Sequence, residues 1–126
     1  MVSGLGLPVT FLVTPGQHAD VSYAEALLAA AAPQGTKVEV VIADKGYDSK
    51  AVVARVESMG AEAVIPTQKS RKRQRVIDAE RYKDRNLVER FWSQAKQFRR
   101  VATRYEKTAR NYLAFVHVAS IMILLR

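Results

Sequence analysis

The sequence predicts an α/β fold, a mixed sheet with flanking helices, and three observations carry that expectation. Short β-branched runs alternate with stretches of helical period. Glycine and proline punctuate the joints between them. The 126 residues, 48% hydrophobic and 25% charged, have the proportions of one globular domain with its own core, which excludes wholesale disorder.

Residues 7–14, Leu-Pro-Val-Thr-Phe-Leu-Val-Thr, are β-branched and aromatic and stop at Pro15-Gly16, so they read as a strand. Residues 1–6 form a stub that enters it through a glycine turn. Asp20 or Ser22 is placed to cap a helix to about Ala32, with Ala24, Leu27, Leu28 and Ala31 at helical spacing and Pro33-Gln34-Gly35 as its stop. Residues 38–44 read as a buried strand ending in the carboxylate of Asp44. After Lys45-Gly46-Tyr47, Asp48 or Ser49 caps a second helix to about Met59, Gly60 stops it, and residues 61–65 make another strand. Residues 67–78 form a basic loop. A helix spans 84–98, or starts as early as Asp78, and Thr108 caps an apolar final helix over 108–125. Its fourteen-residue apolar core, 112–125, is shorter than the ~20 residues a bilayer span requires, which predicts a buried helix with His117 inside the core and no membrane partner.

Charge is distributed unevenly along this order. Residues 1–66 carry four basic and seven acidic residues, net −3, whereas residues 67–126 carry sixteen basic and five acidic, net +11. Within 69–75, five of seven residues are cations: Lys69, Arg71, Lys72, Arg73 and Arg75. With Arg99, Arg100, Arg104, Lys107 and Arg110 downstream, the second half attracts polyanions, nucleic acid first and an anionic membrane surface second. The cation run reads equally as a solvated loop and as a nucleic-acid contact, and the downstream cations favour the contact. The chain has no cysteine, so a disulfide scaffold is excluded, a cytoplasmic location is expected, nucleoid-associated with DNA as the polyanion, and any metal site must use oxygen or imidazole ligands.

One helical wheel through residues 82–96 places Tyr82, Arg85, Glu89 and Lys96 within a wedge of about 60°, with Leu87, Val88, Phe91, Ala95 and Phe98 on the far side. Such a ridge is also what a solvated face with an Arg85–Glu89 pair looks like. Asp44 at a strand end and Glu89 on a helix over that sheet are the carboxylates that could hold hard divalent cations. Two ions about 3.5–4 Å apart stabilise both the attacking and the leaving oxygen of a phosphoryl transfer. Arg85 and Lys96 are then positioned to grip phosphates and Tyr82 to contact the backbone or support a displaced base. Trp92 borders the ridge and is assigned to core packing.

The spacing Tyr82-x2-Arg85-x3-Glu89-x6-Lys96 resembles the Y-(2)-R-(3)-E-(6)-K signature of bacterial insertion-sequence DDE transposases, and residues 44–49, Asp-Lys-Gly-Tyr-Asp-Ser, resemble the segment that carries their second catalytic aspartate. The likeness runs from residues 4–8 and 14–17 to 88–91, 96–105 and 107–111. It implies an incomplete ribonuclease-H-like fold in the C-terminal part of a catalytic domain, with Asp44 and Glu89 as the second and third members of a triad binding Mg²⁺ or Mn²⁺. The first aspartate of that family lies on a strand upstream of residues 7–14, and neither Asp20 nor Asp48, the nearby acidic residues, occupies that strand. The resemblance therefore implies DNA cleavage and strand transfer by a complete protein, inactivity of this chain alone, and as partners transposon-end and target DNA, an upstream transposase segment, or a second copy. The alternatives are a non-catalytic DNA-binding or partner-capping remnant and a stand-alone metal nuclease.

Overall fold

A computed structural model describes residues 1–126 and divides them into two compact units, Met1–Pro15 with Asn86–Arg126, and Gly16–Arg85.

The Gly16–Arg85 unit is a βαβ arrangement preceded by a helix. A 3₁₀ turn, Asp20–Tyr23, leads into α1, Ala24–Ala31, and neither Asp20 nor Ser22 caps it, because the residues that precede these helices, Ala19 and Tyr23, make no side-chain cap bond. Strand β1 is Val40–Ile42, α2 is Lys50–Ser58, and β2 is Glu62–Val64. The strands pair in parallel, Val40 with Glu62, Val41 with Ala63 and Ile42 with Val64, as a two-stranded sheet. Helices and strands alternate as predicted, but the mixed sheet reduces to this pair. Gly60 stops α2 in a left-handed conformation, φ +74°, its N–H bonded to the Glu57 carbonyl. Ala24, Val52 and Ile65 form the core, with Val21, Ala43, Tyr47, Val53 and Ala63 packed on it. The unit ends in a short helix, α3, Ala79–Tyr82, whose N-cap Asp78 accepts the Glu80 and Arg81 N–H groups, and a 3₁₀ turn, Lys83–Arg85.

In the other unit, residues 1–10 form a small antiparallel hairpin. Val2 bridges Pro8, the Met1 ammonium donates to the Thr10 carbonyl at 2.8 Å, and Gly6 turns the chain at φ +76°. The strand expected over 7–14 is otherwise absent. Residues 9–15 have no regular secondary structure and no backbone ladder continues past Thr10, and β-propensity without a ladder does not make a strand. Helix α4 is Asn86–Ala95, α5 is Arg99–Ala102, and α6 is Ala109–Leu124, with Thr108 accepting the Asn111 N–H at 3.3 Å as the predicted cap. Phe91, Ala95, Val101, Val116 and Ala119 make the core, joined by Phe11, Trp92, Phe98, Tyr112 and Phe115.

Two expectations about α6 are corrected. It buries only one face: Val116, Ala119 and Ser120 face inward, while Val118, Ile121, Met122 and Leu124 are exposed. His117 lies on the exposed side, its ring 5.7 Å from that of Phe11. A uniformly apolar run carries no periodicity from which the inward face can be chosen. No helix is long and apolar enough to cross a membrane.

Candidate active site and nucleic-acid contacts

Asp44 follows β1 and caps a 3₁₀ turn, Lys45–Tyr47. Its Oδ1 accepts the Gly46 N–H at 2.7 Å, which fixes the carboxylate at an exposed strand end. Gly46 was not singled out from the sequence. A Cβ there would stand 2.8 Å from Asp44 Oδ1, so a side chain at 46 requires the carboxylate to turn away. The half-buried Tyr47 hydroxyl has its pKa raised by burial and then by the charges of Asp20 and Asp44, and it keeps its proton.

Asp48 does not cap α2. Ser49 holds that position without a side-chain bond, and Asp48 is instead buried, its side chain 0% exposed. Its Oδ2 accepts the Gln68 N–H at 2.9 Å and pairs with Arg71 Nε at 2.7 Å, and its Oδ1 accepts from an Arg75 terminal nitrogen at 2.8 Å. Arg71 also donates to the Asp48 carbonyl, and Arg75 to that of Ile65. Burial by itself would raise the Asp48 pKa. The Gln68 and Arg75 hydrogen bonds and the charges of Arg71 and Arg75 outweigh it, and the carboxyl lies below its ordinary 3.8.

A depressed carboxylate pKa contributes stability that is fully present above the ordinary value and is lost as pH falls through the lowered one. Asp48→Asn is therefore expected to lower stability by about 3 kcal/mol at neutral pH, the low end for a broken buried pair because both arginines are partly exposed. It should also flatten the acid limb of stability. Urea midpoints followed from about pH 7 to about pH 3 test both effects, and an acid limb as steep as that of the wild type would remove Asp48 as its source.

The four signature residues do not share one helix. Tyr82 ends α3, Arg85 closes the 3₁₀ turn, Glu89 lies in the first turn of α4, and Lys96 follows α4 with its N–H still bonded to the Trp92 carbonyl. A 3₁₀ turn advances about 120° per residue, so a wheel drawn at 100° does not describe the segment. Tyr82 and Arg85 are half-buried in the unit that holds Asp44; Glu89 and Lys96 are exposed in the other. The N-terminal position of Glu89 in α4 suits its charge.

The remaining cations fall into two groups. Lys69, Lys72, Arg73 and Arg99 are exposed. Arg71 and Arg75 are tied to Asp48, Arg100 pairs with Glu106 at 2.7 Å and lies over Phe115, and Arg104 lies over Tyr112. The carboxylate oxygens of Asp44 and Glu89 suit a hard divalent cation in kind. Within neither unit do three His, Asp or Glu side chains converge.

The chain matches the family model described as Transposase DDE domain over residues 1–124. It is 38% identical over 128 aligned positions to a protein of Brucella ovis (strain ATCC 25840 / 63/290 / NCTC 10512) assigned as a transposase for insertion sequence element IS6501, an alignment covering 100% of this chain and 95% of that relative. No solved structure matches it. Because both likenesses run along essentially the whole chain and do not rest on one motif, the protein belongs to the DDE transposase family.

Proposed function

We propose that the chain is the C-terminal portion of the catalytic domain of an insertion-sequence transposase, with a ribonuclease-H-like fold that an upstream segment completes, and that it takes part in metal-dependent DNA cleavage and strand transfer at the nucleoid. The observation that carries this reading is the exposed Asp44 carboxylate, held in one orientation at a strand end by the Gly46 N–H, in a chain of the DDE family.

Asp44 and Glu89 are the residues that would hold Mg²⁺ or Mn²⁺. The chemistry such a cation would supply there is activation of a water or DNA 3′-hydroxyl and neutralisation of charge at the phosphorus. The chain's own part is positioning. Arg85 and Lys96 engage phosphates flanking the scissile bond, Tyr82 contacts the backbone, and Arg99, Arg100 and Arg104 extend the cationic track. Two DNA ends must meet for strand transfer, so the working form is an assembly of copies.

A second reading, a DNA-binding or partner-capping remnant without catalysis, is favoured by the net charge of +11 over residues 67–126, which serves binding to a polyanion with no metal involved. Assays of duplex binding and of Mg²⁺- or Mn²⁺-dependent nicking, with the chain alone and with an upstream transposase segment added, separate the two. Binding alone, with strand transfer appearing only on addition of the segment, is the expected result. Binding with no transfer in either case selects the remnant. Nicking by the chain alone that disappears in Asp44→Asn would overturn the inactivity proposed for it.

A further inference from the structure

The cation run at 69–75 reads from sequence as a solvated loop or a nucleic-acid contact in which all five cations are alike, yet the structure closes the loop and divides them. Besides the Asp48 bonds to Gln68, Arg71 and Arg75, the Arg75 N–H donates to Thr67 Oγ1 at 2.8 Å. The Gln74 side-chain amide spans the loop to the carbonyls of Gln68 and Arg71, at 3.2 and 2.8 Å, and the Arg71 N–H returns to the Gln68 carbonyl. Two of the five cations are thereby turned inward onto one buried carboxylate. The other three, Lys69, Lys72 and Arg73, are exposed and have no acidic partner.

We infer that residues 68–75 form a preformed docking surface for the phosphate backbone of duplex DNA, in which Lys69, Lys72 and Arg73 contact phosphates while Arg71 and Arg75 hold the loop's shape through Asp48. The inference rests on DNA being the partner, as proposed above, and adds which cations meet it and which do not. Ordering of this loop accompanies folding, so docking on a phosphate chain does not have to order it again. Five like charges in seven residues would repel one another in a free loop. Tying two of them to one buried carboxylate offsets one unit of that charge and leaves the other three exposed on a closed loop, which suits a regularly spaced polyanion.

The test is duplex binding by the full chain, measured as the slope of log K against log salt on a short mixed-sequence duplex, alongside the thermal unfolding midpoint. Each phosphate contact contributes about 0.9 to that slope. The triple variant K69Q/K72Q/R73Q is expected to lose about 2 to 3 from the slope with its midpoint unchanged. Arg71→Gln is expected to do the reverse, lowering the midpoint and leaving the slope of the folded protein close to wild type. A control of equal net charge, K37Q/K50Q/R55Q, removes three exposed cations from the same unit and should leave the slope unchanged.

An unchanged slope in the loop triple, in a wild type that binds DNA, overturns the docking surface and leaves the DNA reading standing. An equal loss in the control overturns it as well, since net charge would then account for the effect. Loss of binding to phosphatidylserine vesicles by the loop triple, with duplex binding intact, would make the loop a membrane contact and overturn the assignment to DNA. Absence of duplex binding by the wild-type chain would remove the DNA-partner reading and this inference together.

Discussion

Glu89→Gln, assayed with an upstream transposase segment and element-end DNA, is expected to reduce strand transfer by about a thousandfold or more while duplex binding persists. The substitution keeps the volume of the side chain and removes its charge. A hard divalent cation requires anionic oxygen, and its loss from a phosphoryl-transfer site withdraws several kcal/mol of transition-state stabilisation, at about 1.4 kcal/mol per tenfold in rate. Helix α4 should survive, because Glu89 is exposed in its first turn, where the favourable dipole interaction of its charge is worth about 0.3–1 kcal/mol. Removing a negative charge cannot weaken attraction to DNA, so a fall in binding would point to misfolding and not to chemistry. Asp44→Asn should behave in the same way. Full transfer by either variant would sink the catalytic assignment.

Phe91→Ala is expected to lower stability by about 3–5 kcal/mol, a large share of the ~5–15 kcal/mol typical of a domain. Phe91 is 2% exposed, its ring 5.5 Å from that of Phe11 and 5.4 Å from that of Trp92, within the cluster built by α4, α5 and α6. Truncation leaves a cavity at the point where residues 1–15 and the three helices of that unit are joined. Trp92 is the protein's single tryptophan and lies beside the lesion, so its fluorescence in urea reports this unit specifically. A shift of under about 1 kcal/mol would mean that the cluster closes over the gap.

What could be read from the sequence was mostly local. Gly60 after Met59, and Thr108 before an apolar run, are signals whose physics is complete within a few residues, and both ends lie where they predict. Residues 7–14 failed because a strand needs a partner that its own composition does not specify. The break at 83–85 lies in Lys-Asp-Arg, which contains neither glycine nor proline, so nothing in the residue types separates one helix from three pieces. Asp48 was missed for a related reason. An Asp-Ser pair before a helix resembles a cap, and its true partners lie 20 to 27 positions downstream. Gln68 and Gln74, uncharged residues within and beside the cation run and able to bond across it, were the available hint. The residues proposed for the site rest on their spacing in the sequence, whereas which cations are spoken for cannot be read there, because that depends on a carboxylate remote in the chain.

The close approach of Gly46 to Asp44 has a consequence for any large-scale mutational survey of this gene. Scored by cellular abundance, position 46 should look permissive: it is exposed, φ there is not left-handed, and the atom a methyl would meet is the free end of a surface side chain. Scored by transposition frequency, alanine at the same position should rank with substitutions of Asp44 itself, since the added carbon occupies the place against which the carboxylate is held. Disagreement between the two maps, and not depletion in either one, would mark this glycine as part of the working site.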